Sequence, residues 1–352
     1  MATRTLALTI LAQEYANAIV SQINRTAIAV RILPMVVGGG SNVAWVPKGT
    51  GAAAAAMAEG AAAGTPSNDV QKAAVLQWAY YKSDGGATGP AQAAAATASS
   101  PRGNATLLAN DIVDSLAAMA SQINVHTYSG DGAASPKQVT GLDQAIGDTT
   151  NTYATIDRTV DTWFQPSVFN PGVATPITQA QLRKDISTIK RLCGESPTVG
   201  LCHPDVFTSI ANTFDATRRY TQTTEFNVDR RGMIKLDASV DAVTIGGCTF
   251  VEDKDATLES GGASGRIYYV NPKYVEYVIQ PQPEIAALLR SMGIVPGMVL
   301  RANDGFGEVP LLAAVVAMAK VGDADTYMAK TYLELRVRKP SACGVRRFAQ
   351  ID

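Results

Sequence analysis

The sequence predicts an α+β protein with one long excursion from its body. Three features predict it: segments whose apolar residues recur at helical spacing, apolar or alternating runs of strand length, and a Gly/Ala-rich stretch flanked by two strand-like arms. The chain has 352 residues, 46% hydrophobic but only 17% charged, with 30 Lys+Arg against 31 Asp+Glu. At roughly 150 residues per domain this is about two domains, or one large elaborated one. A net charge of −1 argues against a dominant basic nucleic-acid-binding surface. With charge below the usual ~25%, the chain either exposes fewer charges than a free-living enzyme needs or hides much of its surface against partners.

The first segment has the spacing of an amphipathic helix. Leu8, Leu11, Tyr15, Ile19 and Ile23 share one helical face, and the pattern ends near Pro34. After the break GGGS (38–41), SNVAWVP (41–47) reads as a strand and VQKAAVLQWAYYKS (70–83) as its partner. The tip between them is KGTGAAAAAMAEGAAAGTPSND. Together they form a long hairpin, with arms of roughly 25–45 Å at about 3.3 Å per residue. An isolated hairpin is marginal in water, and this one carries Trp45, Trp78, Tyr80 and Tyr81. A small core of the same chain can cover its base; a neighbouring copy is the economical cover for its far end.

A Gly/Ala linker (85–99) leads to a helix that Pro101 can open, with Leu108, Ile112, Leu116, Met119 and Ile123 on one face. Thr178 and Gln181 form a capping box, Ile177 can staple onto Leu182, and Gly194 ends that helix. TVGLCHP (198–204) reads as a buried strand and PDVFTSIANTF as the next helix, with Phe207, Ile210 and Phe214 aligned. AVTIGGCTFVED and RIYYVNPKYVEYVIQP read as sheet strands. TYLELRVRKP alternates, with Leu333, Leu335 and Val337 on one side and Glu334, Arg336 and Arg338 on the other.

Chemical motifs are scarce. There is no P-loop, and the Gly runs at 49–51 and 261–265 lack the context of a dinucleotide site. Ser264 lacks the following glycine of a nucleophile elbow. The calcium-like start at Asp253, Asp255 and Thr257 fails at Leu258 and Ser264. Cys193, Cys202, Cys248 and Cys343 are too dispersed for a zinc site and read as reduced core thiols. His126 and His203 have no nucleophile motif nearby and read as structural. No catalytic residue, metal or cofactor is predicted. LLAAVVAMA (311–319) is about half of the ~20 residues needed to span a bilayer. LALTILA (6–12) runs straight into Glu14 without a cleavage site, so the chain reads as cytosolic, with no membrane partner. The basic cluster Arg336, Arg338, Lys339, Arg346 and Arg347 reads as a solvated strand face with contacts to acidic neighbours. The alternative is weak, sequence-independent contact with nucleic acid, or a charged subunit interface.

The order of these elements resembles the major capsid proteins of tailed bacteriophages, with their Hong Kong 97-type fold. TVGLCHPDVFTSI (198–210) resembles that family's apolar strand, His-Pro and helix. IGGCTFVEDKD (245–255) resembles its Gly-plus-apolar strand, GRIYYVNPKYVEYVIQP (265–281) its aromatic strand with a central Asn-Pro turn, and LELRVRKPSA (333–342) its closing strand. The resemblance spans nearly the whole chain. It implies an N-terminal arm (1–40), an extended loop (41–85), a peripheral domain (86–132 with 319–352) built on the long spine helix, and an axial α/β domain (133–318).

The resemblance further implies a non-enzymatic virion protein that self-assembles into the hexamers and pentamers of an icosahedral head enclosing double-stranded DNA. Assembly would take place in the cytoplasm of a bacterial host, with a separate scaffolding protein, a portal, and weak contact with packaged DNA. Inter-subunit contacts are expected from Tyr15 and Ile19 in the arm, from Trp45, Lys48, Glu59, Trp78 and Tyr80 in the hairpin, and from Arg336 and Arg338. Cross-linking relatives join a loop Lys to an Asn upstream of the closing strand. Here Lys48 and Lys72 would face a region offering Asp323 and Asp325, so no isopeptide cross-link is expected. An encapsulin-like nanocompartment shell of the same fold is the first alternative, and an unrecognised cytosolic enzyme the second.

Overall fold

In the computed structural model, the structure describes residues 27–49, 71–90, 103–213, 225–228, 232–235, 242–259, 261–282, 299–300, 314–318 and 323–351. The helices are α1 (Ile28–Ile32), α2 (Gly103–Ser129), α3 (Leu142–Ile146), α4 (Gln179–Cys193) and α5 (Pro204–Asn212). The first strands are β1 (Met35–Val37), β2 (Val43–Trp45), β3 (Ala74–Leu76), β4 (Ala79–Thr88), β5 (Thr152–Tyr153), β6 (Ile156–Asp157), β7 (Ser167–Phe169), β8 (Val199–Cys202) and β9 (Glu225–Val228). They are followed by β10 (Gly232–Lys235), β11 (Ala242–Ile245), β12 (Cys248–Glu252), β13 (Ser264–Val270), β14 (Val275–Ile279), β15 (Val299–Leu300), β16 (Ala314–Ala317), β17 (Ala324–Val337) and β18 (Gly344–Gln350).

Two six-stranded sheets organise the chain. The first runs β15-β1-β14-β17-β16, with β4 on the other edge of β17; the second runs β11-β12-β8-β13-β18-β7. The second sheet explains why its strands read as unbroken apolar runs: both faces are covered. Cys202, Phe250, Ile267 and Tyr269 pack against Leu182, Ile186 and Ile189 of α4 and Val206, Phe207 and Ile210 of α5. The alternate residues Val199, Leu201, Val251, Tyr268 and Val270 join the main core with Ile123 and Tyr128 of α2. Each such side chain contributes about 1.5–3 kcal/mol by leaving water.

The end signals of α4 form as the sequence predicts. Gln181 N–H donates to Thr178 Oγ1 at 3.3 Å, Thr178 N–H donates to Gln181 Oε1 at 3.2 Å, and Gly194 closes the helix at φ 83°. His203 caps α5, its Nδ1 accepting from Asp205 N–H at 3.3 Å. α2 buries Met119, Ala120 and Ile123 on the expected face, and continues past His126 to Ser129. Phe214 and the Leu108 side chain lie outside the described residues.

Three expectations need correction. The segment 70–83 is not one strand: it breaks at Gln77–Trp78, with β3 pairing β2 and β4 crossing to β17. The break follows from Trp78, whose ring turns into the core. Residues 85–88, expected in a linker, continue β4 against Tyr327–Ala324 of β17. Gly85 permits this close approach, because a Cβ there would strike the Tyr327 phenol. The polar side of TYLELRVRKP is not a solvated face. Glu334 is fully buried under the 137–140 segment, and Arg336 is half-buried beside Trp45.

The sheets also cut across the expected domain limits. β14, within 133–318, and β1, within 1–40, are hydrogen-bonded neighbours in the first sheet, whereas β18, within 319–352, lies in the second. The aromatic segment turns at Asn-Pro as expected, and its two strands, β13 and β14, lie one in each sheet. Asn271 fixes the bend between them by donating to Ser196 O at 3.2 Å and accepting from Lys273 N–H at 3.1 Å.

Candidate functional site

The hairpin and its base form the candidate functional site. β2 and β3 pair Val43 with Leu76 and Trp45 with Ala74, and an isolated bridge, Lys48 to Gln71, carries the pairing outward. The tip, residues 50–70, lies outside the described residues, and so do Tyr15, Ile19 and Glu59. Four contacts fix the stem to the segment 154–163 of the same chain. Val75 N–H donates to Ala154 O at 3.0 Å and Thr155 Oγ1 to Ala73 O at 3.3 Å. Lys72 Nζ meets Asp161 Oδ2 at 2.6 Å, and Gly49 lies so close to the Trp163 ring that a Cβ would fall 2.5 Å from it. The docking turn is strained: Ala154 and Thr155, which join β5 to β6, have φ of 50° and 67°. Both central residues are left-handed, a geometry that normally selects Asn-Gly.

The sequence-predicted residues divide into two groups. Trp78 is 3% exposed and belongs to the chain's own core, while Trp45 is half-buried, 6.3 Å from the Tyr153 ring and 6.0 Å from the Arg336 guanidinium. Tyr80 is 61% exposed and sits edge-on to Tyr332, its cross-strand partner, at 5.0 Å. Lys48 is exposed at the outer end of the stem, close to the exposed Val46. The structure thus brings Trp45 and Arg336 together, buries Trp78, and leaves Tyr80, Val46 and Lys48 at the surface.

The C-terminal cations are engaged within the chain. Arg336 Nε donates to Glu276 Oε1 at 3.0 Å, and Arg338 Nε lies 3.1 Å from the same oxygen. Arg338 Nη2 donates to Lys273 O at 2.6 Å, and Lys339 Nζ to Cys193 O at 3.0 Å. Arg346 clasps Asp185 through two bonds of 2.6 and 2.8 Å, and Arg347 Nε meets Glu259 at 3.1 Å. The contacts to acidic residues expected of this cluster are made within the chain, by Glu276, Asp185 and Glu259, but the face is partly buried rather than solvated.

Several functional groups escaped the sequence reading. Glu276 is a single charge inside an apolar strand; only the register of β14 against β17 places it opposite Arg336. Lys137 pairs with buried Glu334, whose carboxyl is raised above its usual range by burial, with Lys137 opposing. Asp253 gathers Ala29 N–H, Asn124 Nδ2 and the Tyr128 hydroxyl at 2.9–3.0 Å, tying α1 and α2 to the end of β12. Arg158, fully buried, donates to the carbonyls of Ala145 in the last turn of α3 and Asp148 just beyond it, and stacks on Tyr153; burial lowers its guanidinium to about 10, so it stays charged at neutral pH. No group of His, Cys, Asp and Glu among the described residues could hold a metal ion, and the four cysteines are free. None of the described helices is long and apolar enough to cross a membrane.

Residues 37–289 match the SU10 major capsid protein family. The chain belongs to that family. Its role is structural, as a major capsid protein, and its fold is the Hong Kong 97-like one. The capsid asymmetric unit of cyanophage A-1(L) superposes with a TM-score of 0.72 at 16% identity, covering 97% of this chain and 98% of that one. The capsid of an empty GTA particle gives a TM-score of 0.60 at 12% identity, over 96% and 95% of the two chains. The SrpI encapsulin complex of Synechococcus elongatus PCC 7942 gives 0.56 at 13% identity, over 99% and 95%. No curated protein matches the sequence. As a capsid protein the chain works by self-association into capsomers.

Proposed function

We propose that this capsid protein forms the hexamers and pentamers of an icosahedral phage head around double-stranded DNA, with its hairpin as the reaching element. The observation that carries this reading is the docked stem. Trp78 and Val75 hold the hairpin base, and Lys72 its outer stem, on the subunit's own body, while Val46 and Lys48 on the stem and Tyr80 on neighbouring β4 stay exposed. A stem docked on its own subunit that still presents Val46 and Lys48 at the surface, and leads outward into residues 50–70, supports a neighbour-contacting role, because burial against a second copy removes exposed apolar surface and covers an open strand edge. Tyr15, Ile19 and Glu59 are assigned to the same inter-subunit contacts. Arg336 acts within its own subunit, holding Trp45 in place. Arg338, bound to Glu276 and Lys273 O, is assigned the same internal role. A portal, a separate scaffolding protein and assembly in a bacterial cytoplasm complete the proposal.

Deleting residues 48–72 tests it. The subunit should remain folded and should fail to close shells; normal shells from the deleted chain would overturn the role of the hairpin. The similarity to an encapsulin over nearly the whole chain supports a second reading, a nanocompartment. Copurifying DNA and portal favour the head; a copurifying cargo enzyme with a docking tail favours the compartment.

A further inference from the structure

We propose that the outward face of α4 is a contact surface for double-stranded DNA; this deepens, and rests on, the reading of the shell as a DNA container. Arg183, Lys184, Lys190 and Arg191 are all exposed, and among the described residues none has an acidic partner. Their spacing, with exposed Ser187 between them, places them on one stripe of the helix, about 12 Å long at ~1.5 Å per residue. Elsewhere in the described chain, cations are mostly held: Lys72 by Asp161, Lys82 by Asp84, Lys254 by Asp255, Lys273 by Glu195, and Arg266 and Arg347 by Glu259.

The acids that would otherwise neutralise α4 are occupied. Asp185, on the helix itself, points inward and binds Arg346 and the Tyr269 hydroxyl. Glu195, just past the helix end, binds Lys273 and the Tyr274 hydroxyl. In a chain of net charge −1, this stripe concentrates positive charge that the fold leaves unused. A linear polyanion fits it better than a protein partner does, because protein interfaces centre on apolar and aromatic side chains. The stripe has none; the exposed Leu192 lies off it.

The test is fluorescence anisotropy of the full-length protein with a short, labelled, mixed-sequence duplex across a salt series. Four phosphate contacts give a slope of log affinity on log salt of about −3.6, or a loss of about 100-fold between about 50 and 200 mM. The variant Arg183→Gln/Lys184→Gln/Lys190→Gln/Arg191→Gln should lose about three units of that slope, while Lys82→Gln/Lys254→Gln keeps it. Circular dichroism confirms that the variants are folded, and electron microscopy follows their shells. Equal salt dependence in wild type and quadruple variant would overturn the proposal. So would a quadruple variant that binds DNA normally but no longer forms shells, which would make the stripe a subunit contact. If the wild type forms no shells yet shows the α4-dependent slope, the container reading fails and the DNA surface stands.

Discussion

The indole of Trp78 donates its Nε1 hydrogen to the backbone carbonyl of Gly40 at 3.1 Å, joining the inner end of the hairpin to the segment that precedes it. The same ring lies against Gly38, where a Cβ would fall 2.6 Å from it and 2.5 Å from Val278. Trp78 is therefore an anchor of the subunit. Trp78→Ala should cost about 3–5 kcal/mol in urea-monitored unfolding of the unassembled chain. Tyr80→Ala, two residues on but exposed, should change that stability by less than about 0.5 kcal/mol and impair assembly instead. Equal destabilisation by the two would contradict the division of labour along this strand.

The strained turn under the stem gives a second expectation. Thr155 holds a φ of 67° with a β-branched side chain, which glycine tolerates far better. Thr155→Gly should raise stability by about 1 kcal/mol after the loss of its 3.3 Å bond to Ala73 O, readable as a higher melting temperature. A lower melting temperature would mean that the bond to the hairpin outweighs the backbone strain.

His126 couples β4 to α2. The Tyr81 oxygen accepts from Val139 N–H at 3.0 Å and is hydrogen-bonded to His126 Nδ1 at 2.7 Å. Burial lowers the His126 pKa and pushes Tyr81 up to about 12. A base with a depressed folded pKa is bound to fewer protons in the folded state, so its contribution is lost as pH falls below about 6.5. Thermal unfolding should show wild type losing stability through that window, and His126→Gln should flatten the loss. An unchanged pH profile in the variant would rule out His126 as the source.

Asp253 behaves oppositely. Burial raises its carboxyl pKa, although Asn124, Asp255 N–H, Tyr128 and Ala29 N–H all donate to it. An acid with a raised folded pKa holds its proton longer when folded, so its contribution to stability grows as pH falls towards the ordinary value of about 4. Asp253→Asn presents an amide hydrogen to a ring of donors and should cost about 1–3 kcal/mol at neutral pH. The gap between wild type and variant should widen as pH falls; a constant gap would remove Asp253 from the account.

Local grammar made much of the fold legible. The Thr178–Gln181 box, Gly194 and the stripe of α2 lie in short segments whose signals need no distant partner. The strands of the second sheet were readable because coverage on both faces leaves an unbroken apolar run. What escaped depends on register between distant segments. Nothing in YVEYVI says that Glu276 faces Arg336, or that Lys137 comes to lie over Glu334. Trp78 was legible as an aromatic needing cover, but not as one that its own chain covers, since that depends on β4 leaving β3 for β17. Arg336 and Arg338 looked available from the alternation of one strand, and their acid lies on another.

The central claim is that this chain builds closed shells through its hairpin, and negative-stain electron microscopy of the purified full-length protein tests it most directly. The account predicts uniform closed shells tens of nanometres wide from the intact chain, and only small particles once residues 48–72 are deleted. Small particles from the intact chain under assembly conditions, or identical shells from both chains, would contradict it.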